Sequence, residues 1–102
     1  MTGLFEKANM VRSMEIQALY EELCAAAEQV GLEVRVRNLE DQDPPAKSGL
    51  VRLKGRPVLL LHAGLPPSER VSYLAQALGQ FDLEAIYLSP AARETIASSR
   101  PS

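Results

Sequence analysis

Histidine and cysteine occur once each in this 102-residue chain, as His62 and Cys24. That scarcity bounds its chemistry. A lone thiol forms no intrachain disulfide, and a multi-cysteine zinc site is excluded. Cys24 sits beside Leu23 and an alanine run, where a thiol is a small apolar packing residue, and no neighbouring cation signals a lowered pKa. His62 ends an apolar run and precedes Ser68 and Glu69 by one short loop. A hydrolase would use His62 as general base, with Ser68 or Glu69 within hydrogen-bond reach, but nothing in the pattern builds an oxyanion hole. The plainer expectation is a strand-end histidine held by a structural hydrogen bond. The chain has no glycine-rich phosphate loop, no EF-hand loop and no carboxylate pair in a catalytic context.

The segment from Gly55 to Phe81 carries a more specific pattern. Gly-Arg-Pro-Val-Leu-Leu-Leu leads through Leu65-Pro66-Pro67-Ser68-Glu69-Arg70 into Val71-Ser72-Tyr73-Leu74-Ala75-Gln76-Ala77-Leu78-Gly79-Gln80. This resembles the core of the ImmA/IrrE-type zinc metallopeptidases. There a strand and a short loop with an acidic–basic pair precede a helix reading roughly x-x-L-A-H-E-L-G-H. Leu74-Ala75 and Leu78-Gly79 fall in the matching register. The zinc motif needs histidines at i and i+4, which share one helix face, and a glutamate between them as general base. Those positions are Gln76, Ala77 and Gln80 here. A glutamine amide oxygen is a poor zinc ligand, and alanine moves no proton. The resemblance therefore implies a degenerate zincin-like core: a pseudoenzyme with no metal, no cofactor and no catalytic residue. His62, Gln76, Ala77 and Gln80 would line what remains of the cleft. The bland alternative makes Gln76 and Gln80 solvent-facing positions of an amphipathic helix; the sharper one has them hydrogen-bond an extended peptide.

Cations form the other candidate site. Strand alternation sets Arg35 and Arg37 opposite Val34 and Val36, and Arg52 and Lys54 opposite Val51 and Leu53. If the two strands are neighbours, four cations share one sheet face, able to bind phosphate or an acidic partner. No aromatic residue is interleaved to stack bases, and like charges directly opposite destabilise a sheet. Arg93, early in the last helix, is expected to reach a carboxylate such as Asp82 or Glu84.

The elements that position these residues follow from periodicity. Ile16, Leu19, Leu23, Ala26 or Ala27 and Val30 predict a helix over Val11 to Val30 ended by Gly31. Residues 32–38 and 49–54 alternate as strands, and Lys54-Gly55-Arg56-Pro57 reads as a hairpin turn. The run Val58 to Leu61 reads as a central third strand. A second helix opens at Pro67, and Ser89-Pro90 reads as N-cap and N1 of a last helix reaching about Ser98. Residues 83–88 fit either a short strand or a helical turn. The expectation is one small α+β domain over residues 11–98, in the order α-β-β-β-α-(β)-α. Its sheet would be mainly antiparallel, with three or four strands and helices on one face, although parallel pairing of the first and third strands is open. Residues 1–10 would form a disordered extension and residues 99–102 a frayed tail.

Composition agrees with a globular domain: 46% apolar and 24% charged residues. Eleven Lys and Arg against thirteen Asp and Glu argue against a strongly basic nucleic-acid binder. The start of the chain lacks the apolar core of a secretory signal, and no run is long enough to cross a bilayer, so a cytoplasmic protein is expected. The functional expectation is a non-catalytic zincin-like domain acting through protein–protein contact, with a homodimer or another protein as partner. A first helix amphipathic enough to pair with a second copy supports it. The alternatives are a hydrolase using His62 and a nucleic-acid or phosphate binder using Arg35, Arg37, Arg52 and Lys54.

Overall fold

The computed structural model describes residues 2–41 and 46–99, with side chains from Met14 onward. Helix α1 (Thr2–Val30) leads into β1 (Glu33–Arg37), a 3₁₀ turn (Leu39–Asp41), β2 (Gly49–Leu53), β3 (Arg56–His62), α2 (Pro67–Leu78) and α3 (Pro90–Ser99). The described residues make a small α+β fold of three helices and a three-stranded mixed sheet in the order β1-β3-β2. No described helix is long and apolar enough to cross a membrane.

β3 is central, as its apolar run implies. It pairs in parallel with β1 (Val34 beside Leu59, Val36 beside Leu61) and antiparallel with β2 (Leu50 beside Leu59, Arg52 beside Pro57). The sheet is thus half parallel rather than mainly antiparallel, because the long loop after β1 carries the chain to the far edge, where β2 lies, and the tight hairpin brings β3 back between the two, alongside β1. The hairpin turn is Lys54-Gly55, with φ of 52° and 80°. Both central residues are left-handed, the combination that matches strand twist and favours glycine. The optional fourth strand is absent: residues 83–88 are irregular chain with one turn at Glu84-Ala85, where the Asp82 carboxylate accepts the Glu84 N–H at 3.0 Å.

α1 begins at Thr2, so residues 2–10 are helical rather than a disordered extension. That stretch holds Leu4, Glu6, Lys7, Ala8 and Met10 and no proline. Good helix formers propagate a helix without an apolar stripe of their own. α1 ends as its glycine predicts. Gly31 adopts φ 82°, its N–H bonds Glu28 O, and Leu32 N–H reaches back to Ala27 O at 2.8 Å. This Schellman ending turns the chain straight into β1. Ser99, the first residue of the expected frayed tail, is instead the last residue of α3, its hydroxyl donating to Thr95 O at 2.8 Å; the rest of that tail lies outside the described residues, as do Pro44 and Pro45.

One apolar core joins the helices to a single face of the sheet. Leu23, Ala27, Leu61, Leu74, Leu78 and Ala92 are fully excluded from solvent, at roughly 1.5–3 kcal/mol for each large side chain. Val34, Val36 and Leu50 pack against this core from the strands.

Candidate functional site

β3 delivers His62 to the end of the sheet where the loop after β1 crosses over. The loop's polar groups close around it. His62 N–H donates to Ser48 Oγ at 3.0 Å. Nδ1 lies 3.5 Å from the Leu39 N–H and 3.4 Å from the Arg37 carbonyl, so the tautomer decides whether it accepts from one or donates to the other. Nε2 faces the Glu40 carboxylate at 3.8 Å. The ring is thus a staple between the strand end and the crossing loop. Ser68 and Glu69, the expected partners of a catalytic His62, are not among its hydrogen-bonding or ionic neighbours in the described residues. Both lie in the exposed first turn of α2.

α2 carries the part of the chain that resembles the metallopeptidase helix. It starts at Pro67, whose fixed φ and missing N–H suit N1, and buries Val71, Leu74, Ala75, Ala77 and Leu78. Ala77, at the position that the resemblance would give to a general base, is 2% exposed and part of the core. Gln76 and Gln80 are exposed. Gln80 shares a cleft with Arg52, Pro57 and Asp82, at the end of β3 opposite His62. Five residue steps along the strand separate Pro57 from His62, about 16 Å. His62 and Gln80 therefore do not share one cleft. The donor set does not fit zinc: two neutral amides and a methyl group stand where two imidazoles and a carboxylate are needed. Among the described residues, no three His, Cys, Asp or Glu side chains come close enough to hold an ion together.

The four cations do not share a face. β3 lies between β1 and β2, and strand partners project to the same side. Arg35 and Arg37 stand beside Leu60 and His62, on the face away from the helices. Arg52 stands beside Pro57 and projects with Leu50 and Leu59 to the helix side, where its guanidinium donates to Gly55 O at 3.3 Å. Val51 and Leu53, expected to point inward, project outward instead. The two-residue turn fixes this parity, because Leu53 must oppose Arg56. Lys54 occupies the turn itself. Arg35 is paired with Glu33 on its own strand, and Arg37 donates to the Val36 carbonyl at 2.9 Å.

Arg93 donates to Leu88 O at 3.4 Å, and among the described residues it pairs with neither Asp82 nor Glu84. It shares with Asp82 and Glu84 a shallow cleft of about 330 Å³. Cys24 is partly buried near Tyr20 and Arg70. Burial pushes its thiol above the ordinary value, while the Tyr20 hydrogen bond and Arg70 pull it down and Glu21 adds to the rise. That is the opposite of an activated nucleophile.

Two polar anchors escape sequence reasoning. Glu22 on α1 accepts the Ser89 N–H and the Ser89 hydroxyl, each at 2.7 Å, while Ser89 Oγ caps α3 by accepting the Ala92 N–H at 3.1 Å. Arg70 donates to Ala63 O and Leu65 O at 2.8 and 3.0 Å, with its guanidinium 5.8 Å from the Tyr20 ring centroid. The Ser89 cap was legible locally, but no local signal pairs it with a residue 67 positions away. No family model, no curated protein and no solved structure matches the chain.

Proposed function

We propose that this chain is a non-catalytic domain that acts by protein–protein contact, built on a degenerate form of the metallopeptidase core that Gly55 to Phe81 resembles. The observation that carries this reading is Ala77. It occupies the position of the general base and is a packing residue of the core, 2% exposed, so that position contributes to stability and offers no proton-transfer group. The flanking ligand positions are amides facing solvent. His62, the chain's one imidazole, is engaged at the far end of β3 by backbone groups of the crossing loop. Contact is what such a domain retains. Its sheet ends in two edge strands, β1 and β2, and edge backbone groups are a template for a strand from another chain. We assign the protein to the cytoplasm, where a lone thiol such as Cys24 stays reduced.

The test is incubation of the purified chain with a disordered protein substrate, with added zinc and separately with a chelator. Intact substrate under both conditions is expected. Cleavage that the chelator abolishes would overturn the proposal.

A further inference from the structure

The open edge of β1 has a charge and hydrogen-bonding pattern that matches itself. The Arg37 carbonyl accepts the Ala63 N–H on the β3 side. Strand alternation then turns the backbone groups of Glu33, Arg35 and Arg37 toward β3, and those of Val34 and Val36 toward the open edge. The Arg37 guanidinium on the Val36 carbonyl is independent evidence, since a side chain satisfies that group and not a strand. Val34 and Val36 are only half-buried on the core side, while Glu33 and Arg35 are exposed and paired on the outer face.

We infer that β1 pairs antiparallel with β1 of a second copy about a twofold axis at Val34, joining two sheets into one. The inference rests on the proposed contact function and names its partner. Three twofold registers are available to so short a strand. Centred on Arg35, that residue faces Arg35 of the second copy. Centred on Val36, Arg35 faces Arg37 of the second copy. Centred on Val34, Glu33 faces Arg35 of the second copy and Arg35 faces its Glu33, so every opposed charge has the opposite sign. Glu33 and Arg35 already pair along each strand, and the four groups close into an alternating quartet. The backbone agrees with this register. The two Val34 residues exchange N–H to carbonyl bonds, and each Val36 N–H reaches the Leu32 carbonyl of the other copy. The groups left over are occupied within each chain: Leu32 N–H by Ala27 O, and Val36 O by Arg37. Pairing also covers the exposed parts of Val34 and Val36.

The experiment is sedimentation equilibrium on the full chain, on Glu33→Arg, on Arg35→Glu and on an equimolar mixture of the two variants. The unmodified chain is expected to dimerise. Each variant alone sets like charges against each other at both symmetric positions and weakens the dimer by about tenfold or more in Kd. In the mixture, opposite charges face each other again and dimers return, which a misfolded variant could not achieve. A monomeric unmodified chain would overturn the inference, as would a dimer indifferent to both variants or a mixture without rescue. These outcomes are separate from the substrate test: a monomer that leaves substrate intact removes the self-pairing alone, whereas chelator-sensitive cleavage removes the contact function beneath it.

Discussion

Replacing Glu22 with alanine should be among the most damaging changes outside the apolar core. Its carboxylate receives two donors from Ser89, the N–H and the hydroxyl, both at 2.7 Å in a partly buried setting. It also lies at the N-terminus of α3, where negative charge is favourable. A hydrogen bond to a charged group contributes about 1.5–3 kcal/mol net. Ser89 keeps its own bond to Ala92 in the variant, so the cap survives while its tether to α1 is lost. Counting one full bond and part of a second, the expected loss is about 2–4 kcal/mol. For a domain of this size that lowers Tm by roughly 10–20 °C. Ser89→Ala removes the hydroxyl and the cap but leaves the backbone N–H on Glu22, and should lose about 1–2 kcal/mol. Urea unfolding of the two single variants and the double variant gives the coupling, expected near 1–2 kcal/mol. If Glu22→Ala changes stability by no more than about 0.5 kcal/mol, as an ordinary surface substitution does, the tether carries no weight and the reasoning fails.

Arg70→Ala should lose about 1–3 kcal/mol, because two loop carbonyls and the Tyr20 stacking contact go together. Arg70→Lys should recover only part of it, since an ammonium lacks the fork; chemical denaturation measures both. Leu74→Ala or Leu78→Ala, each at a fully buried position, should lose about 2–5 kcal/mol by the same assay. Gln76→Ala and Gln80→Ala, at exposed positions, should stay within about 0.5 kcal/mol. Cys24 should alkylate more slowly in the folded chain than in urea near neutral pH, because burial holds the thiol protonated. Its folded pKa is raised, so its contribution to stability is intact below the ordinary thiol value and is lost as pH rises through the folded one. Melts from neutral to about pH 10 should therefore decline less steeply for Cys24→Ala than for the unmodified chain.

The parts of the fold governed by local chemistry were legible in the sequence. Gly31, Lys54-Gly55, Pro67 and Ser89-Pro90 each set a backbone geometry within a few residues, and each lies at the helix end or turn that its type predicts. Parity was harder. Val51 and Leu53 alternate with Arg52 and Lys54, and both phases of that pattern are chemically acceptable in an edge strand with apolar residues on either side. Only the turn's requirement that Leu53 oppose Arg56 selects the outward phase, and that choice separates Arg52 from Arg35 and Arg37. The start of α1 was missed because helix propensity without an apolar stripe leaves no periodic signal. The partners of Glu22, Arg70 and His62 are set by tertiary packing across long separations, and no spacing rule reaches them.

The proposed function requires that α2 offer no inner coordination sphere for zinc. Metal analysis of the purified full chain, exposed to zinc and then dialysed, tests it most directly. Zinc far below one equivalent is expected, unchanged by Gln76→Ala or Gln80→Ala. One retained equivalent per chain that either substitution releases would contradict it.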